Sequence, residues 1–331
     1  MYKSILRPLL FLIDPERIHR QLVSALKLYR HIPFIRVWMH HTCTHQAPYQ
    51  WNKLVLTNRI GLSAGFDKAG EVFSELADFG FGFIELGTVT PSPQQGNPSP
   101  RIFRLPKCDS LISRTGFNNP GVDKFRENLH RHKKRDCLIG ININKNPQSE
   151  GQTAVSDFSN LFLALYNDAD YFTLNWGSID AELFADVLEA LTHYRKNHVE
   201  KRPVFIKLPA DITEETMTKV IGLATQYGIE GFIATGPTMD RTNLHSYTKE
   251  ELDTIGAGGV SGKGIGNKSL NVVKYLRTHC DKNMLIIGAG GIMSPDDAKR
   301  MAEAGADLVQ IYSAFIYSGP SIVKRIAKEI N

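Results

Sequence analysis

The sequence has few cysteines and no long uninterrupted apolar segment, and each absence excludes a class of protein. The four cysteines among its 331 residues are Cys43, Cys108, Cys137 and Cys280. No two of them form a C-x-x-C pair, so we expect neither a zinc knuckle, nor any other metal site, nor a redox dithiol, and a reduced cytosolic setting is the simplest interpretation. The first apolar run is interrupted at Arg7 and Pro8 and ends at Asp14, short of the roughly 20 residues that cross a bilayer. We expect neither secretion through this segment nor a membrane span.

The composition is otherwise ordinary for a globular chain, with 42% hydrophobic and 22% charged residues. Intrinsic disorder and a collagen-like fibre are therefore excluded. The charge is unevenly distributed along the chain. Residues 1–50 contain seven Lys or Arg and two acidic residues, whereas residues 51–331 contain 32 of each sign. The net positive charge belongs to residues 1–50, which we treat as a segment separate from residues 51–331.

Residues 1–50 are predicted to be helical. Asp14-Pro15-Glu16 is a helix start with proline at the first helical position. Apolar residues then recur at spacings of three and four, with basic residues between them: Arg17, Arg20, Lys27 and Arg30. This pattern is typical of a helix that lies on a membrane surface, or of one that docks on its own domain with a solvated basic face. The residues alone leave both interpretations open.

From about residue 59, short apolar runs alternate with longer amphipathic stretches. Eight runs are predicted to be strands: Ile60–Ser63, Phe83–Leu86, Leu138–Ile143, Tyr171–Leu174, Val204–Leu208, Gly231–Thr235, Leu285–Gly288 and Leu308–Ile311. Eight βα units over about 270 residues match the usual size of an α/β (β/α)8 TIM barrel. A doubly wound open sheet is the alternative.

Polar residues follow six of the predicted strands, and glycines follow the last ones. Because a barrel has its active site on the loops after its strands, these polar side chains are expected to converge, although each could instead cap a helix or lie along the rim. Gly262 and Gly290-Gly291 would let backbone N–H groups approach a phosphate, and Ser313 would add a hydroxyl. The sequence therefore predicts a phosphorylated cofactor at the rim.

Motifs along nearly the whole chain form a specific set. They are Asp14-Pro15-Glu16-Arg17-Ile18-His19, Gly65-Phe66-Asp67-Lys68, Glu85-Leu86-Gly87-Thr88-Val89-Thr90-Pro91, Pro100-Arg101-Ile102-Phe103-Arg104-Leu105, Gly116-Phe117-Asn118-Asn119, Gly140-Ile141-Asn142-Ile143, Gly288-Ala289-Gly290-Gly291-Ile292 and Gln310-Ile311-Tyr312-Ser313. With them the chain resembles the class 2, quinone-dependent dihydroorotate dehydrogenases. The resemblance implies an FMN-binding barrel with a small N-terminal helical domain, which oxidises dihydroorotate to orotate in pyrimidine biosynthesis.

The resemblance also implies a role for individual residues. The implied cofactor-binding positions are Ala64, Gly65, Lys68, Thr88, Asn142, Asn175, Lys207 and Thr235 around the flavin, and Gly262, Gly291, Tyr312 and Ser313 at its phosphate. Lys207 would face the pyrimidine edge of the ring and offset the negative charge that reduction adds. The implied substrate-binding residues are Lys68, Phe117, Asn175 and Asp180. Ser178 aligns with the catalytic base, which removes a proton from C5 of dihydroorotate while hydride leaves C6.

The implied partners are a small-molecule substrate, a membrane quinone and the membrane surface. In this class the N-terminal helices form the quinone entrance, so we expect a peripheral protein on the cytoplasmic side of the inner membrane. No nucleic-acid partner is expected, because residues 51–331 are almost neutral and carry no helical RNA-binding domain such as that of the tRNA dihydrouridine synthases, another group of FMN barrels.

The departures from the family fall on the substrate side. Of the four asparagines that bind orotate in the family, only Asn175 is present, and the others align with Ser113, Asp180 and Gly236. An Asp180 carboxylate 4 Å from that of orotate would cost about 4 kcal/mol at an effective dielectric near 20. Ala181 replaces a threonine of the proton relay, so Ser178 could merely cap a helix. Three hypotheses remain: a divergent dihydroorotate dehydrogenase, an FMN oxidoreductase for another small molecule, and a membrane-associated flavin-binding protein without turnover.

Overall fold

The computed structural model describes residues 2–132, 137–177, 180–196 and 198–330. Eight parallel strands form a closed barrel in which each strand pairs with the next along the chain and the last pairs with the first. Numbered β1 to β8 in chain order, they are Ile60–Leu62, Phe83–Val89, Leu138–Ile143, Tyr171–Asn175, Val204–Leu208, Gly231–Ala234, Leu285–Ala289 and Leu308–Ile311. All eight match predicted strands. The predicted (β/α)8 barrel is confirmed, and the open sheet is wrong.

Helices follow the barrel strands on the outside. They are Phe73–Ala77, Val122–His130, Gly151–Leu165, Ala181–Lys196, Glu214–Gln226, Gly266–His279, Pro295–Glu303 and Ser321–Glu329, with Lys249–Ile255 and Ser313–Ser318 in addition. Local sequence sets several of their starts. The Thr213 side chain accepts from Thr216 N, and Ser294 accepts from Asp297 N, so each caps the helix that follows it.

A short hairpin closes the amino end of the barrel. Its strands, Tyr49–Trp51 and Leu54–Leu56, pair antiparallel. The Trp51 ring lies 5.8 Å from the ring of Phe205, and Leu56 belongs to the same apolar cluster as Phe83. Because this end is filled with apolar side chains, polar chemistry is confined to the opposite, carboxyl end.

A second, antiparallel sheet lies beside the carboxyl end. Its strands are Ile102–Leu105, Ser110–Ser113 and Gly259–Gly262, and Leu105, Ile112 and Val260 contribute to an apolar cluster of its own. The Tyr317 hydroxyl donates to Ser110 O over 2.7 Å. This hydrogen bond ties the sheet to the helix that follows β8.

The N-terminal segment consists of a π-helical turn, Tyr2–Leu6, and the helices Arg7–Phe11, Pro15–Tyr29 and Pro33–Cys43. The predicted helix start is confirmed, since the Asp14 side chain accepts from the N–H groups of Glu16 and Arg17. No described helix of the chain is long and apolar enough to cross a bilayer.

This segment docks on the barrel through ion pairs with the helix after β1 and its flanks. Arg30 Nε lies 2.6 Å from Glu75 Oε1, and Arg36 Nε lies 2.7 Å from Asp78 Oδ2. Lys27 Nζ also lies 2.6 Å from Glu71 Oε1. Of the two interpretations left open, docking on its own domain is therefore observed, but Arg30 and Arg36 point inward to the buried carboxylates of Glu75 and Asp78 and not into solvent.

Many apolar side chains of the segment are exposed, although Val23 and Tyr29 pack against the core. Only Leu26 of its helices is buried, whereas Leu12 is 84% exposed, Phe34 73% and Trp38 61%. Exposed apolar clusters of this kind mark interaction surfaces. The segment therefore presents an apolar face to its surroundings.

Candidate active site

The interior of the barrel changes from apolar to polar towards its carboxyl end. Near the amino end it is filled by the apolar cluster that includes Phe83, Tyr171, Phe205 and Leu285. Two residues further along β2 and β5, the inward positions are occupied by Glu85 and Lys207, which bond to each other. Since side chains alternate between the two faces of a strand, Glu85 and Lys207 form the next layer of the interior.

Glu85 lies at the centre of this polar layer, although no role was predicted for it from the sequence. Its side chain is fully buried. Its Oε1 accepts from Lys207 Nζ at 3.2 Å and from Asn142 Nδ2 at 2.9 Å, and its Oε2 accepts from Gln310 Nε2 at 2.8 Å. These donors lie on β5, β3 and β8. One carboxylate therefore fixes polar side chains from three other strands.

Three of the predicted flavin positions are joined to this layer. Thr88 Oγ1 donates to Asn142 Oδ1 over 2.7 Å, so both ends of the Asn142 amide are held. Lys207 Nζ also donates to Ser63 Oγ over 3.2 Å. Thr88 thus bonds directly to Asn142, and Glu85 joins Asn142 to Lys207.

The other predicted ring positions are neighbours of these three. Gly65 N donates to Gly87 O over 2.8 Å, which brings Ala64 and Gly65 beside the end of β2. Asn175 is the register partner of Lys207 at the end of β4. On the same strand, Thr173 Oγ1 is buried and makes no hydrogen bond with any residue that the structure describes. A buried polar atom without a partner fits a site whose ligand supplies one.

Three of the four predicted phosphate positions lie in a glycine-lined cradle. Gly291 has φ +77°, and a Cβ atom at this position would overlap the backbone of Gly266. A Cβ atom at Gly262 would lie 3.3 Å from Ser313 Cβ, and Ser313 Oγ lies 3.3 Å from Ser261 Oγ. The backbone can pack this closely only because glycine has no side chain. The cradle brings together Gly262, Gly291 and Ser313, and its close backbone fits a phosphate group.

Thr235 and Tyr312 lie on the border of the site. The Thr235 hydroxyl is 2.8 Å from Ser269 Oγ on the helix Gly266–His279, so it is engaged with this helix. A Cβ atom at Gly65 would lie 3.6 Å from Tyr312 Cε2, which puts the tyrosine ring beside the loop after β1. Burial raises the pKa of Tyr312 to about 12, so its hydroxyl is protonated at neutral pH.

Lys68 extends the site towards the loop 113–119. Its Nζ donates to Asn118 Oδ1 over 2.6 Å and to Thr115 Oγ1 over 3.0 Å. Burial lowers the pKa of Lys68 to about 8. Phe117, the predicted substrate contact on this loop, is 37% exposed and has φ +53°. A cation with neutral partners suits an anionic ligand.

The residues that depart from the family have local structural roles. Asp180 Oδ1 accepts from Leu183 N over 2.8 Å, so Asp180 caps the helix Ala181–Lys196, and its side chain is exposed. Ser113 pairs with Gly259 in the second sheet, and Gly236 N donates to Leu208 O over 2.8 Å. Ser178, the predicted base, lies outside the described residues. Its role, like the substrate contacts of Asp180, stays a prediction.

The family model for dihydroorotate dehydrogenase matches residues 49–331. The chain belongs to the dihydroorotate dehydrogenase family. It is 38% identical to the dihydroorotate dehydrogenase (quinone) of Christiangramia forsetii, over 100% of this chain and 98% of the relative. It is also 38% identical to the enzyme of the same name from Nitrosomonas europaea, over 98% and 96%. The predicted class 2 resemblance is confirmed.

A solved dihydroorotate dehydrogenase has the same fold. The crystal structure of the Eimeria tenella enzyme in complex with ferulenol is similar with a TM-score of 0.82 and 27% identity, over 96% of this chain and 90% of that chain. The family match begins at Tyr49 and therefore includes every described residue of the polar layer and of the glycine cradle. The N-terminal segment is covered by the full-length relatives.

Proposed function

We propose that this protein oxidises dihydroorotate to orotate, with FMN bound at the carboxyl end of the barrel and a quinone as the final electron acceptor. The observation that carries the proposal is the pairing of a buried polar layer with a glycine-lined cradle at one end of a dihydroorotate dehydrogenase barrel. The layer suits the polar edge of a flavin ring and the cradle suits its phosphate.

The chain offers a specific group for each part of the cofactor. FMN supplies the hydride acceptor. Thr88 and Asn142 would hold the ring through an amide whose orientation is already fixed by hydrogen bonds. Lys207 would offset negative charge at the ring, and the N–H groups near Gly262 and Gly291 would bind the phosphate.

Lys68 is the residue that we assign to the carboxylate of dihydroorotate. The described acceptors that hydrogen-bond to its ammonium, Thr115 and Asn118, are neutral, so an anionic substrate would supply a directly bonded partner of opposite charge. Asn175, next to Lys207, would orient the ring amides of the substrate. In this assignment, Lys68 and Asn175 replace the substrate contacts of the family asparagines that align with Ser113 and Gly236.

Proton removal from C5 requires a base, and the resemblance assigns this role to Ser178. A serine hydroxyl is a weak base, and it needs a neighbouring group to take its proton. With Ala181 in the place of the family threonine, that group must come from another residue or from water. We therefore expect a steep loss of turnover in Ser178→Ala without loss of flavin.

The N-terminal segment is assigned to the membrane surface and to quinone access, on the cytoplasmic side of the inner membrane. Its exposed apolar face supports a peripheral contact with lipid. His19 Nε2 lies 2.8 Å from Phe66 O, which joins this segment to the loop that carries Lys68.

The Phe34→Ser, Trp38→Ser double variant should sediment less with lipid vesicles, whereas Val199→Ser, at a position 99% exposed outside the segment, should not differ from wild type.

Complementation tests the proposed function. A bacterial pyrimidine auxotroph without its own dihydroorotate dehydrogenase should grow on medium lacking uracil when it expresses this chain. A Ser178→Ala variant expressed at the same level is the matched control and should not restore growth. Absence of growth in cells that contain the folded, flavin-loaded protein would contradict the proposal.

A further inference from the structure

Lys207 does not face the cofactor site as an isolated cation. Its Nζ lies 3.2 Å from Glu85 Oε1, and the side chains of both residues are almost completely buried. A buried charge with an adjacent opposite charge has a much weaker field at a distance than a lone charge, because the two contributions largely cancel. The charge presented to the flavin ring therefore depends on Glu85 as well as on Lys207.

The hydrogen bonds of Glu85 indicate that its carboxylate is ionised. The three side chains that hydrogen-bond to it within the described residues all do so through N–H donors, from Lys207, Asn142 and Gln310. An ionised carboxylate only accepts hydrogen bonds, and a protonated one would need an acceptor for its own proton. Both oxygens are satisfied by donors, as a buried carboxylate requires.

We propose that Glu85 is a positioning residue that sets the reduction potential of the bound flavin. It acts through Lys207, whose charge it offsets, and through Asn142, whose amide it orients. Reduction adds negative charge to the flavin ring, so a neighbouring positive charge favours it and a neighbouring negative charge opposes it. Glu85 thus keeps the reduction potential of the flavin low enough for its electrons to pass on to the quinone. This inference rests on the proposed function only in requiring a bound flavin.

The structure provides a conservative variant for the test. Glu85→Gln removes the negative charge and preserves the shape of the side chain. Its new amide group would face Gln310, whose Oε1 lies near the Tyr171 hydroxyl without a well-formed hydrogen bond. A half-turn of the Gln310 amide would present this oxygen to the new N–H group. The network can therefore be preserved while its charge is changed.

The experiment measures the midpoint potential of the flavin by titration with dithionite against an indicator dye, which requires no substrate. Glu85→Gln should shift the equilibrium between oxidised and reduced flavin towards the reduced form by at least about tenfold. This factor corresponds to a midpoint potential that is higher by about 30 mV for a two-electron couple. Lys207→Gln should shift the equilibrium by a similar factor in the opposite direction. Glu75→Gln, which makes the same change at a fully buried carboxylate paired with Arg30 outside the site, should leave the potential unchanged.

A double variant tests the proposal even if Glu85→Gln alone does not fold, because it leaves no unpaired charge in the barrel. The Glu85→Gln, Lys207→Gln protein should have a higher midpoint potential than Lys207→Gln alone, by an amount that corresponds to at least about a tenfold shift towards reduced flavin. Equal potentials in these two proteins, or shifts of Glu85→Gln and Lys207→Gln in the same direction, would overturn the proposal. Protein that binds no flavin would overturn the inference and the proposed function together. Flavin that dihydroorotate does not reduce would contradict the proposed function alone, since the potentials are measured with dithionite.

Discussion

Lys68 and Asn118 are joined by a hydrogen bond of 2.6 Å between Nζ and Oδ1, so the ammonium group has a neutral partner. Burial lowers the pKa of Lys68 to about 8, and only the protonated form can attract the carboxylate of a substrate. Orotate affinity should therefore be constant below pH 8 and fall by about tenfold per pH unit above it. Calorimetric titrations between pH 6.5 and pH 9.5 measure this dependence.

A Lys68→Gln variant is the control for this pH profile. It should bind orotate more weakly at neutral pH, and its affinity should not change through pH 8. If the wild-type affinity were also independent of pH above 8, Lys68 would not be the anion-binding group.

The glycine cradle predicts a specific loss of cofactor. In Gly291→Ala the new methyl group would overlap the backbone of Gly266, at a residue with φ +77°. The cradle would have to open, at a cost of about 1–3 kcal/mol, so the flavin affinity should fall by about five- to 150-fold. The ratio of flavin to protein after purification and dialysis measures the effect.

Gly222→Ala is the matched control, because a Cβ atom at Gly222 would have no neighbour within 4 Å. Gly222 lies in the helix Glu214–Gln226, so alanine should preserve the flavin and stabilise the fold by up to about 1 kcal/mol. Equal flavin contents in the two variants would argue against a phosphate site at Gly291.

The ion pair between Arg36 and Asp78 predicts that the N-terminal segment is required for stability. The Asp78 side chain is only 6% exposed, and its other described hydrogen-bond partner is the Tyr29 hydroxyl. Arg36→Met would leave this carboxylate without its counterion and should lower the free energy of unfolding by about 3 kcal/mol. Urea denaturation measures the change.

Lys107→Met breaks an ion pair of similar length, 2.8 Å to Glu251, in which both side chains are exposed. This variant should change the free energy of unfolding by less than about 1 kcal/mol. If both substitutions had the same small effect, the segment would be held by contacts other than its charges.

Asp180 caps a helix in the structure and aligns with a substrate asparagine in the family. Asp180→Asn should preserve the cap, because asparagine caps helices as well as aspartate does. If the carboxylate faces the substrate, its removal should tighten orotate binding by about fivefold, the value for exposed charges 4 Å apart in water. Unchanged orotate binding, with unchanged thermal stability, would mean that Asp180 acts only as the cap.

The barrel could be predicted from the sequence because its strands are short apolar runs bounded by polar loops. The hairpin Tyr49–Leu56 and the second sheet were not predicted. Their strands have three or four residues each, too few for a clear alternation of apolar and polar positions. Their stability comes from contacts with the barrel and with each other, which no local pattern records.

The site was predicted only in part, because its central residue, Glu85, lies inside a strand. The predicted flavin positions lie in or just after the carboxyl ends of the strands and match family motifs, so the sequence could place them at the rim. Glu85 and Gln310 lie within apolar runs, and only the two-residue period of a strand would have placed them inside the barrel. A charged residue at an inward position of a buried strand is the signal that could have identified Glu85.

The direction of the N-terminal charges could not be predicted at all. Lys27, Arg30 and Arg36 pair with carboxylates that lie more than 40 residues away in the chain. A helical pattern shows which residues share a face, and it does not show which face the barrel covers. The acids that bind these residues became apparent only in the folded structure.

The most direct measurement of the central claim is the visible spectrum of the purified protein when it is mixed with dihydroorotate under anaerobic conditions. The proposed function predicts a yellow protein whose flavin absorbance is lost on mixing and returns when a soluble quinone is added, with orotate as the product. A colourless protein after reconstitution with FMN, or a flavin that stays oxidised in excess dihydroorotate, would contradict it.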